Sequence, residues 1–260
     1  MSAKESFKRM AKIYDEYRKT DELVLRILSN EIQELSTIKS KLSMLDIGCG
    51  TGNFSIPLAK EFDIKLTGID FSEEMLMQAQ QKLPRGRWLL QDVKTANFKD
   101  NSFDIVLMSY VVHHMQDYDK VLRTVYRILK KLFGKLLIVT DDHDQFQASV
   151  YHKHIPRLLE IDLERFPKVD ELSNHLNEIG FEVHIHKVTR EIRVSDIKDI
   201  DELVEKGKAR YFSTLTLIAD SELEKGLEKM REALVNELKS GTIVRTREKT
   251  ILVAQKNKVQ

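Results

Sequence analysis

A glycine-rich turn between two apolar segments constrains the fold of this chain more than any other feature of its sequence. The segment Ser43–Asn53 holds three alternate glycines, and the apolar segment that follows it ends at Asp70. Glycine has no Cβ atom, so such a turn can adopt positive φ angles and let a ligand approach the backbone closely. The pattern predicts a strand, a turn, a helix and a second strand. Its final carboxylate can accept hydrogen bonds from the two hydroxyls of a ribose, so a nucleoside-containing ligand is expected.

The spacing of these glycines argues against a dinucleotide. The dinucleotide fingerprint G-x-G-x-x-G places a pyrophosphate at a helix N-terminus. This chain instead has Gly48, Gly50 and Gly52 in the pattern G-x-G-x-G, with Asp46 two residues before the first of them. Because a carboxylate at that position repels a pyrophosphate, an amino group is the better partner.

Four segments carry a resemblance to a known family. They are Leu45–Gly52, Asp70, Gln91–Val93 and Phe103–Ser109. In order and spacing they resemble the successive motifs of class I S-adenosylmethionine-dependent methyltransferases, in particular the small-molecule branch called type 11. The resemblance covers about the first half of the chain, which is far more specific than a single glycine motif.

The order of the predicted elements indicates an α/β fold. Apolar and amphipathic segments alternate, as in a Rossmann-like, doubly wound and mostly parallel sheet. We expect seven strands, the last of them antiparallel as the resemblance implies, with a helical insertion at 194–240 before it. One domain is expected over 1–260, with an N-terminal helical lid at 1–40 and a cofactor-binding half at 41–141.

Periodicity and end signals place the individual elements. Strands are predicted at Ser43–Ile47, Ile64–Asp70, Arg87–Asp92, Ile105–Ser109, Lys135–Thr140, Phe181–Val188 and Thr242–Gln255. Helical segments are predicted at Phe7–Leu35 with a break near Thr20, at Glu73–Leu83 after a Ser72 cap, at Tyr118–Lys131 and at Lys168–Ile179. Two further helices are expected within the insertion.

The resemblance implies that S-adenosylmethionine is the methyl donor and S-adenosylhomocysteine the product. It also implies roles for the matching residues. Gly48, Gly50 and Gly52 approach the methionine moiety, Asp46 assists at its amino end, and Asp70 holds the ribose.

The adenine is expected to contact residues after the second and third strands. Phe71 and Met75 are predicted to flank it, and Asp92 is predicted to accept a hydrogen bond from its amino group beside the Val93 backbone. Alternatively, Asp92 is an ordinary turn residue, and Phe71 and Met75 are packing residues of a helix face.

The end of the fourth strand is the expected place of methyl transfer. Ser109 and Tyr110 are predicted to lie beside the sulfonium, with Ser109 acting through its side chain or its backbone. His113 and His114 follow, and a histidine there could deprotonate a hydroxyl or amine nucleophile or only orient the substrate. These two residues are the catalytic candidates.

Paired histidines raise the alternative of a metal site. His152 and His154, like His184 and His186, lie two residues apart, and each pair would share one face of a strand. No third ligand stands out in the sequence, so no metal is expected.

Two segments are candidates for substrate contact. Tyr14, Tyr17 and Arg18 resemble the aromatic motif of an N-terminal lid in small-molecule methyltransferases. Arg210 and Tyr211, in the insertion, offer a cation beside aromatic rings, which suits an anionic or flat substrate. The alternative for both segments is a solvated helix face with ordinary packing aromatics.

Composition restricts the partners. Lys and Arg number 42 against 41 Asp and Glu, a formal charge of +1, which gives no electrostatic footprint for nucleic acid or an anionic membrane. The single cysteine, Cys49, excludes an internal disulfide and fits a reducing compartment. With no apolar run as long as a membrane span and no signal-peptide pattern at the start, a soluble cytoplasmic protein is expected.

The sequence therefore predicts methyl transfer to a small-molecule acceptor by in-line displacement. The alternatives are a methyltransferase acting on RNA or another nucleic acid, and an S-adenosylmethionine-binding protein without transfer activity. Against the first alternative, Ser109–Val112 stands where base-amino methylases carry an Asn/Asp-Pro-Pro-aromatic signature.

Overall fold

A computed structural model describes residues 14–18 and 20–256 of the chain. These residues group into two compact units. The sheet unit comprises residues 20–140, 167–188 and 250–256, and the helical unit comprises residues 14–18, 141–166 and 189–249. The predicted division of one domain into lid, cofactor-binding half and insertion stays a prediction.

The sheet has seven strands in the order β3-β2-β1-β4-β5-β7-β6. The strands are β1 Ser43–Ile47, β2 Lys65–Asp70, β3 Arg87–Leu90, β4 Ile105–Ser109, β5 Lys135–Thr140, β6 Phe181–Val194 and β7 Ile243–Lys256. The pairs β1–β2, β1–β4, β2–β3 and β4–β5 are parallel, whereas β7 is antiparallel to β5. The predicted mostly parallel sheet with an antiparallel last strand is confirmed.

Among the described residues, two helices precede β1, and the others lie between the strands in chain order. The helices are α1 Tyr14–Tyr17, α2 Glu22–Ile38, α3 Ser55–Glu61, α4 Glu73–Lys82, α5 Tyr118–Ile128, α6 His143–Ala148, α7 Val150–His154, α8 Pro156–Arg165, α9 Val169–Ile179, α10 Ile197–Lys208 and α11 Asp220–Leu238. Short 3₁₀ helices span Val112–His114 and Ser213–Leu217. In the described part of the chain, no helix is both long and apolar enough to span a membrane.

Alternate residues of the central strands pack on opposite faces of the sheet. In β4, Val106 and Met108 belong to one hydrophobic cluster with residues of α5 and α9. Ile105 and Leu107 belong to another cluster, with residues of α2, α3 and α4. All four side chains are fully buried, which is why β4 is an uninterrupted apolar run rather than an alternating one. Helices therefore cover both faces, as a doubly wound fold requires.

Caps set the helix ends that the sequence predicted. Asp21 begins α2 by accepting a hydrogen bond from the Leu23 backbone N–H at 3.0 Å, so the predicted break near Thr20 is confirmed. Ser72 caps α4, and its hydroxyl accepts from the Met75 backbone N–H at 3.3 Å. Gly180 ends α9 with a φ of 113°, in the left-handed region that glycine adopts most readily.

The helical unit departs most from the sequence prediction. The two helices expected in the insertion are present as α10 and α11, but α6, α7 and α8 were not predicted. With six and five residues, α6 and α7 are too short for a 3.6-residue periodicity to appear. Pro156 at the start of α8 is a helix-start signal that could have been recognised. The metal alternative required a strand at His152 and His154, but both residues lie on α7.

Candidate functional site

The glycine turn after β1 is built from three residues with positive φ angles. These are 67° at Gly48, 52° at Gly50 and 76° at Gly52. A Cβ atom on Gly48 would lie 2.2 Å from a Val111 methyl, and one on Gly52 would lie 2.5 Å from the Ile56 side chain. Two of the three glycines are thus required by packing as well as by backbone conformation.

Gly50 differs from its two neighbours because its missing side chain faces open space. A Cβ atom there would meet no atom within 4 Å. Its backbone N–H donates to Asp70 Oδ2 at 2.8 Å, which ties the turn to the end of β2. Gly50 is therefore the point of the turn at which a ligand can approach the backbone.

Asp70 is a buried carboxylate held by the backbone. Its Oδ1 accepts from the Ser72 backbone N–H at 2.9 Å and its Oδ2 from Gly50. Burial raises the pKa of Asp70, and the backbone N–H donors oppose that rise. These donors are the backbone N–H groups of Ser72, Gly50 and Phe71. Since a carboxylate has about four acceptor positions, Asp70 retains capacity for a hydroxyl donor.

Asp46 is the one residue of the turn region whose buried oxygen has no partner among the described residues. Its Oδ2 accepts from the Ser55 hydroxyl, whereas its Oδ1 is buried without a hydrogen bond. Burial raises the pKa of Asp46 to about 7, with a further rise from the Asp70 charge and an opposing effect of Ser55. A donor group at Oδ1, above all a cationic one, would offset this burial cost.

The segment that follows β4 lies against the glycine turn, since the Val111 side chain packs on Gly48. Ser109 ends the strand, and Tyr110 follows with a φ of 52°, an uncommon conformation for an aromatic residue. The Tyr110 backbone N–H donates to the Val139 carbonyl at 2.8 Å, which holds the residue in place. Such locally strained residues cluster at ligand sites.

The two histidines follow in the 3₁₀ turn. The ring centroids of His113 and His114 are 4.1 Å apart, and both side chains are half-buried. Through Val111, the structure thus brings the catalytic candidates to the glycine turn, within the sheet unit.

The predicted adenine residues divide into two groups. Phe71 is 42 % exposed at the end of β2, whereas Met75 is only 2 % exposed on α4. The Phe71 side chain is therefore accessible to solvent, whereas Met75 is buried on the helix face. Asp92 lies beyond the end of β3, exposed in a turn where its Oδ1 accepts from the Lys94 backbone N–H at 2.8 Å, and Val93 is buried beside it.

The cysteine of the turn is not a nucleophile. Cys49 is buried, and burial raises the pKa of its thiol well above the usual value, with Asp46 and Asp70 adding to the rise. A reactive cysteine requires the opposite, a lowered pKa and access.

The lid and insertion candidates meet in the helical unit. Arg18 donates from Nε to the Tyr211 backbone carbonyl at 3.0 Å, and Tyr17 immediately precedes Arg18 as the last residue of α1. Residues 1–13 of the predicted lid, residue 19 and the Tyr14 side chain lie outside the described residues.

Arg210 has a structural role in place of the predicted substrate contact. Its Nη1 donates to the Leu215 carbonyl and, at 2.8 Å, to the Ile218 carbonyl. Its Nη2 lies 2.5 Å from Asp220 Oδ1. Arg210 itself is only 9 % exposed, so its guanidinium organises the 3₁₀ turn Ser213–Leu217 and faces away from solvent.

A buried polar network in the helical unit was not predicted. His152 Nε2 lies 2.8 Å from Asp162 Oδ2, and Thr214 donates to Asp162 Oδ1 at 2.5 Å. Arg165 in turn donates to Thr214 at 3.0 Å, and burial lowers the pKa of Arg165. These residues come from α7, α8 and the 3₁₀ turn, and no local sequence signal links them.

Comparison with known proteins bears on this geometry. Residues 45–138 match the model of a family described as a methyltransferase domain. A demethylmenaquinone methyltransferase of Lactiplantibacillus plantarum is 34 % identical over 116 residues, which are 42 % of this chain and 49 % of that relative. The chain thus spans about half the length of this relative.

Two further similarities extend over more of the chain. An uncharacterized protein of Methanocaldococcus jannaschii is 30 % identical over 176 residues, 67 % of this chain and 80 % of that protein. A solved structure from Anabaena variabilis, described as a candidate methyltransferase from an antibiotic biosynthesis pathway, is 24 % identical with a TM-score of 0.69. The similarity covers 91 % of this chain and 98 % of that one, and it shows a shared fold.

Proposed function

Because this chain belongs to the type 11 family of class I S-adenosylmethionine-dependent methyltransferases, we propose that it transfers a methyl group from S-adenosylmethionine to a small-molecule acceptor. The observation that supports this most is the joining of Gly50 to Asp70. The turn is open where a ligand can reach the backbone, and a buried carboxylate with spare acceptor capacity lies beside it.

The residues present fit the cofactor. Asp46 Oδ1 is a buried acceptor that an ammonium group can satisfy, and Asp70 can accept a ribose hydroxyl. Exposed Phe71 offers a face to the adenine, and Asp92 with Val93 stands beyond the neighbouring strand end. When bound, S-adenosylmethionine supplies an electrophilic methyl group on its sulfonium.

The chain's own task is to position the acceptor and exclude water. We assign the positioning to Ser109 and Tyr110 at the end of β4 and to the adjacent histidines. His113 or His114 would hold the proton of a hydroxyl or amine acceptor at an imidazole nitrogen, or would orient that acceptor by a hydrogen bond.

The proposal extends to partners and location. A small molecule is the expected partner rather than a nucleic acid, in keeping with the formal charge of +1. A cytoplasmic location is supported by the buried cysteine, which fits a reducing compartment. We further propose that 194–240 serves substrate recognition, while 41–141 serves cofactor binding.

Calorimetry with S-adenosylmethionine, S-adenosylhomocysteine and NAD tests the cofactor. We expect binding of the first two and none of NAD. Replacing Asp70 by Ala should weaken binding by about 1.5–3 kcal/mol, because a charge-assisted hydrogen bond to the ribose is lost. Asp100→Ala, which removes an exposed partner of Arg127, is the matched control and should bind normally. Tight NAD binding without a response to S-adenosylmethionine would overturn the proposal.

Methyl-labelled S-adenosylmethionine tests the acceptor class. Incubated with protein and a cell extract, it should place label in the low-molecular-weight fraction and not in RNA or DNA. Label recovered in nucleic acid would support the first alternative, and labelling of no fraction in excess of a protein-free control would support binding without transfer.

A further inference from the structure

The helical unit contains a buried histidine to which the proposed methyl transfer assigns no role. His152 on α7 is 6 % exposed, and its Nε2 lies 2.8 Å from Asp162 Oδ2 on α8. The other ring nitrogen, Nδ1, is buried and makes no hydrogen bond within the part of the chain that the structure describes. Because a buried polar atom without a partner is costly, the polar group of a ligand would be stabilised at Nδ1.

The hydrogen bonds around Asp162 indicate the roles of the two imidazole nitrogens. Arginine is a donor only, so the Thr214 hydroxyl accepts from Arg165 at 3.0 Å and donates its own proton to Asp162 Oδ1 at 2.5 Å. These side chains hold one anion and one cation, so a neutral His152 leaves them balanced. The tautomer assigned on this basis has its proton on Nε2, which donates to Asp162 Oδ2. Nδ1 then carries a lone pair and is an acceptor.

Aromatic rings flank this imidazole. The ring centroid of Phe146 lies 5.1 Å from that of His152, and the Phe212 ring lies 6.4 Å away at an angle of 16° to the imidazole. A buried water molecule needs two to four polar partners, and these rings offer none. A flat apolar molecule with a hydroxyl group fits both features, because its ring packs against the aromatic side chains while its hydroxyl donates to Nδ1.

We propose that His152 Nδ1 accepts a hydrogen bond from the hydroxyl group of an aromatic substrate bound in the helical unit. The proposal rests on the proposed function, because Phe212 and Thr214 belong to the segment 194–240 that is assigned to substrate recognition. Asp162 fixes the imidazole through Nε2, and this hydrogen bond keeps Nδ1 available to the ligand.

A ligand reaches Nδ1 only if part of the surrounding wall moves, since this atom is buried. Helix α6 is lightly held, because it has six residues and Phe146 is the one among them that is buried. An element with so few buried side chains opens at low cost. Displacement of Phe146 would admit a ring of similar size beside the imidazole.

Phenol and anisole test the proposal on the full chain. They share one ring, but anisole carries a methyl ether in place of the hydroxyl and cannot donate a hydrogen bond. In nitrogen-15 spectra of histidine-labelled protein at neutral pH, we expect the His152 Nδ1 signal at the position of a non-protonated nitrogen. Phenol should shift this signal saturably toward that of a hydrogen-bonded nitrogen, whereas anisole should not. The signal is assigned by its loss in His152→Gln.

Calorimetry measures the contribution of Nδ1 to affinity. His152→Gln removes this nitrogen, while the glutamine amide keeps an N–H donor for Asp162, so the variant should fold. Its affinity for phenol should fall roughly fivefold because one hydrogen bond is lost, and its affinity for anisole should not change.

His175→Gln is the matched control, because it makes the same substitution in a second histidine–aspartate pair. His175 Nε2 lies 2.6 Å from Asp119 Oδ1 in the sheet unit. This variant should bind phenol within about twofold of the parent.

Four results would overturn the proposal: a protonated Nδ1 in the unliganded chain, equal affinities for phenol and anisole, no saturable binding of phenol, or equal losses in the two variants. S-adenosylmethionine affinity, measured in the same samples, should be unchanged in both variants. Phenol binding by a parent chain that does not bind S-adenosylmethionine would count against the proposed function and leave the ligand site at His152 in place.

Discussion

The two units of this protein build their candidate sites in different ways. In the sheet unit the site consists largely of backbone: a turn with three positive φ angles, the ends of parallel strands, and a carboxylate held by backbone N–H groups. In the helical unit the buried polar contacts join side chains of distant segments, as His152 and Thr214 do with Asp162. A backbone site is specified by neighbouring residues, whereas a side-chain cluster depends on how distant segments pack.

The sharpest test of the backbone site compares two glycines of the same turn. Gly48→Ala should lower the free energy of unfolding by about 2–5 kcal/mol, because it adds left-handed strain to a clash with Val111. Gly50→Ala should cost only about 1–2 kcal/mol, since its Cβ would meet open space. Urea denaturation of both variants measures the difference.

The effect on ligand binding should have the opposite order, with the larger loss of affinity at Gly50. In Gly50→Ala the new methyl group occupies the open side of the turn, so the affinity for S-adenosylmethionine should fall roughly tenfold, about 1.4 kcal/mol. If Gly50→Ala bound as tightly as the parent chain while folding normally, the open face of the turn would not be the ligand's approach.

The sheet unit could be predicted from the sequence because its signals are local. β4 and β5 are uninterrupted apolar runs, and the structure begins and ends both strands at the predicted residues. The three glycines and Asp70 were identified from spacing alone, and the structure joins Gly50 to Asp70 directly. What spacing could not show is that Gly48 and Gly52 are also required by packing, since Val111 and Ile56 contact them from other elements.

The helical unit is tested by Arg210, which the sequence predicts as a substrate contact and which donates to backbone carbonyls in the structure. Arg210→Met should lower the free energy of unfolding by about 2–4 kcal/mol, because the Leu215 and Ile218 carbonyls lose a charged donor in a buried setting. The Asp220 partner should add little, since it is 91 % exposed. Thermal or urea denaturation provides the measurement, with S-adenosylmethionine affinity expected to stay unchanged.

Arg245→Met is the control for this prediction. Arg245 is partly exposed in its ion pair with Glu237, so its loss should change stability by less than about 1 kcal/mol. Should Arg210→Met prove as mild as Arg245→Met, the guanidinium would not organise the turn, and a substrate role for Arg210 would regain support.

The backbone contacts of Arg210 could not be predicted from the sequence, for a physical reason. An arginine next to two aromatic residues looks the same in sequence whether its guanidinium faces a ligand or its own backbone. In this chain the guanidinium faces the backbone, because the carbonyls of Leu215, in the 3₁₀ turn Ser213–Leu217, and of Ile218 accept its hydrogen bonds. Arg210 itself has a positive φ of 53°. The same limit applies to His152 and Asp162, which are ten positions apart and meet only because α7 and α8 pack together.

We also predict an effect of the charge of Asp46 in the sheet unit. Its pKa is about 7 in the folded chain against an ordinary value of 3.8. Because the folded state holds this proton more tightly than the unfolded state does, stability should be greatest at low pH for this group. It should fall as pH rises from about 4 to about 7 and then level off. Between pH 5 and 7 the loss should be about 2 kcal/mol.

Asp46→Asn isolates this contribution, because the amide keeps the shape of the side chain and removes its charge. The pH dependence of unfolding should be less steep between pH 5 and 7 in the variant, while Asp70, whose pKa is also raised by burial, continues to contribute with the same sign in both proteins. A cationic group bound at Oδ1 lowers the pKa of Asp46. S-adenosylmethionine should therefore make the pH dependence of unfolding less steep in the parent chain. In Asp46→Asn it should have no such effect through residue 46, because the amide does not titrate. Identical pH dependence in parent and variant would show that other groups of the protein already stabilise the Asp46 carboxylate. The proposal that an ammonium group binds its buried oxygen would then be contradicted.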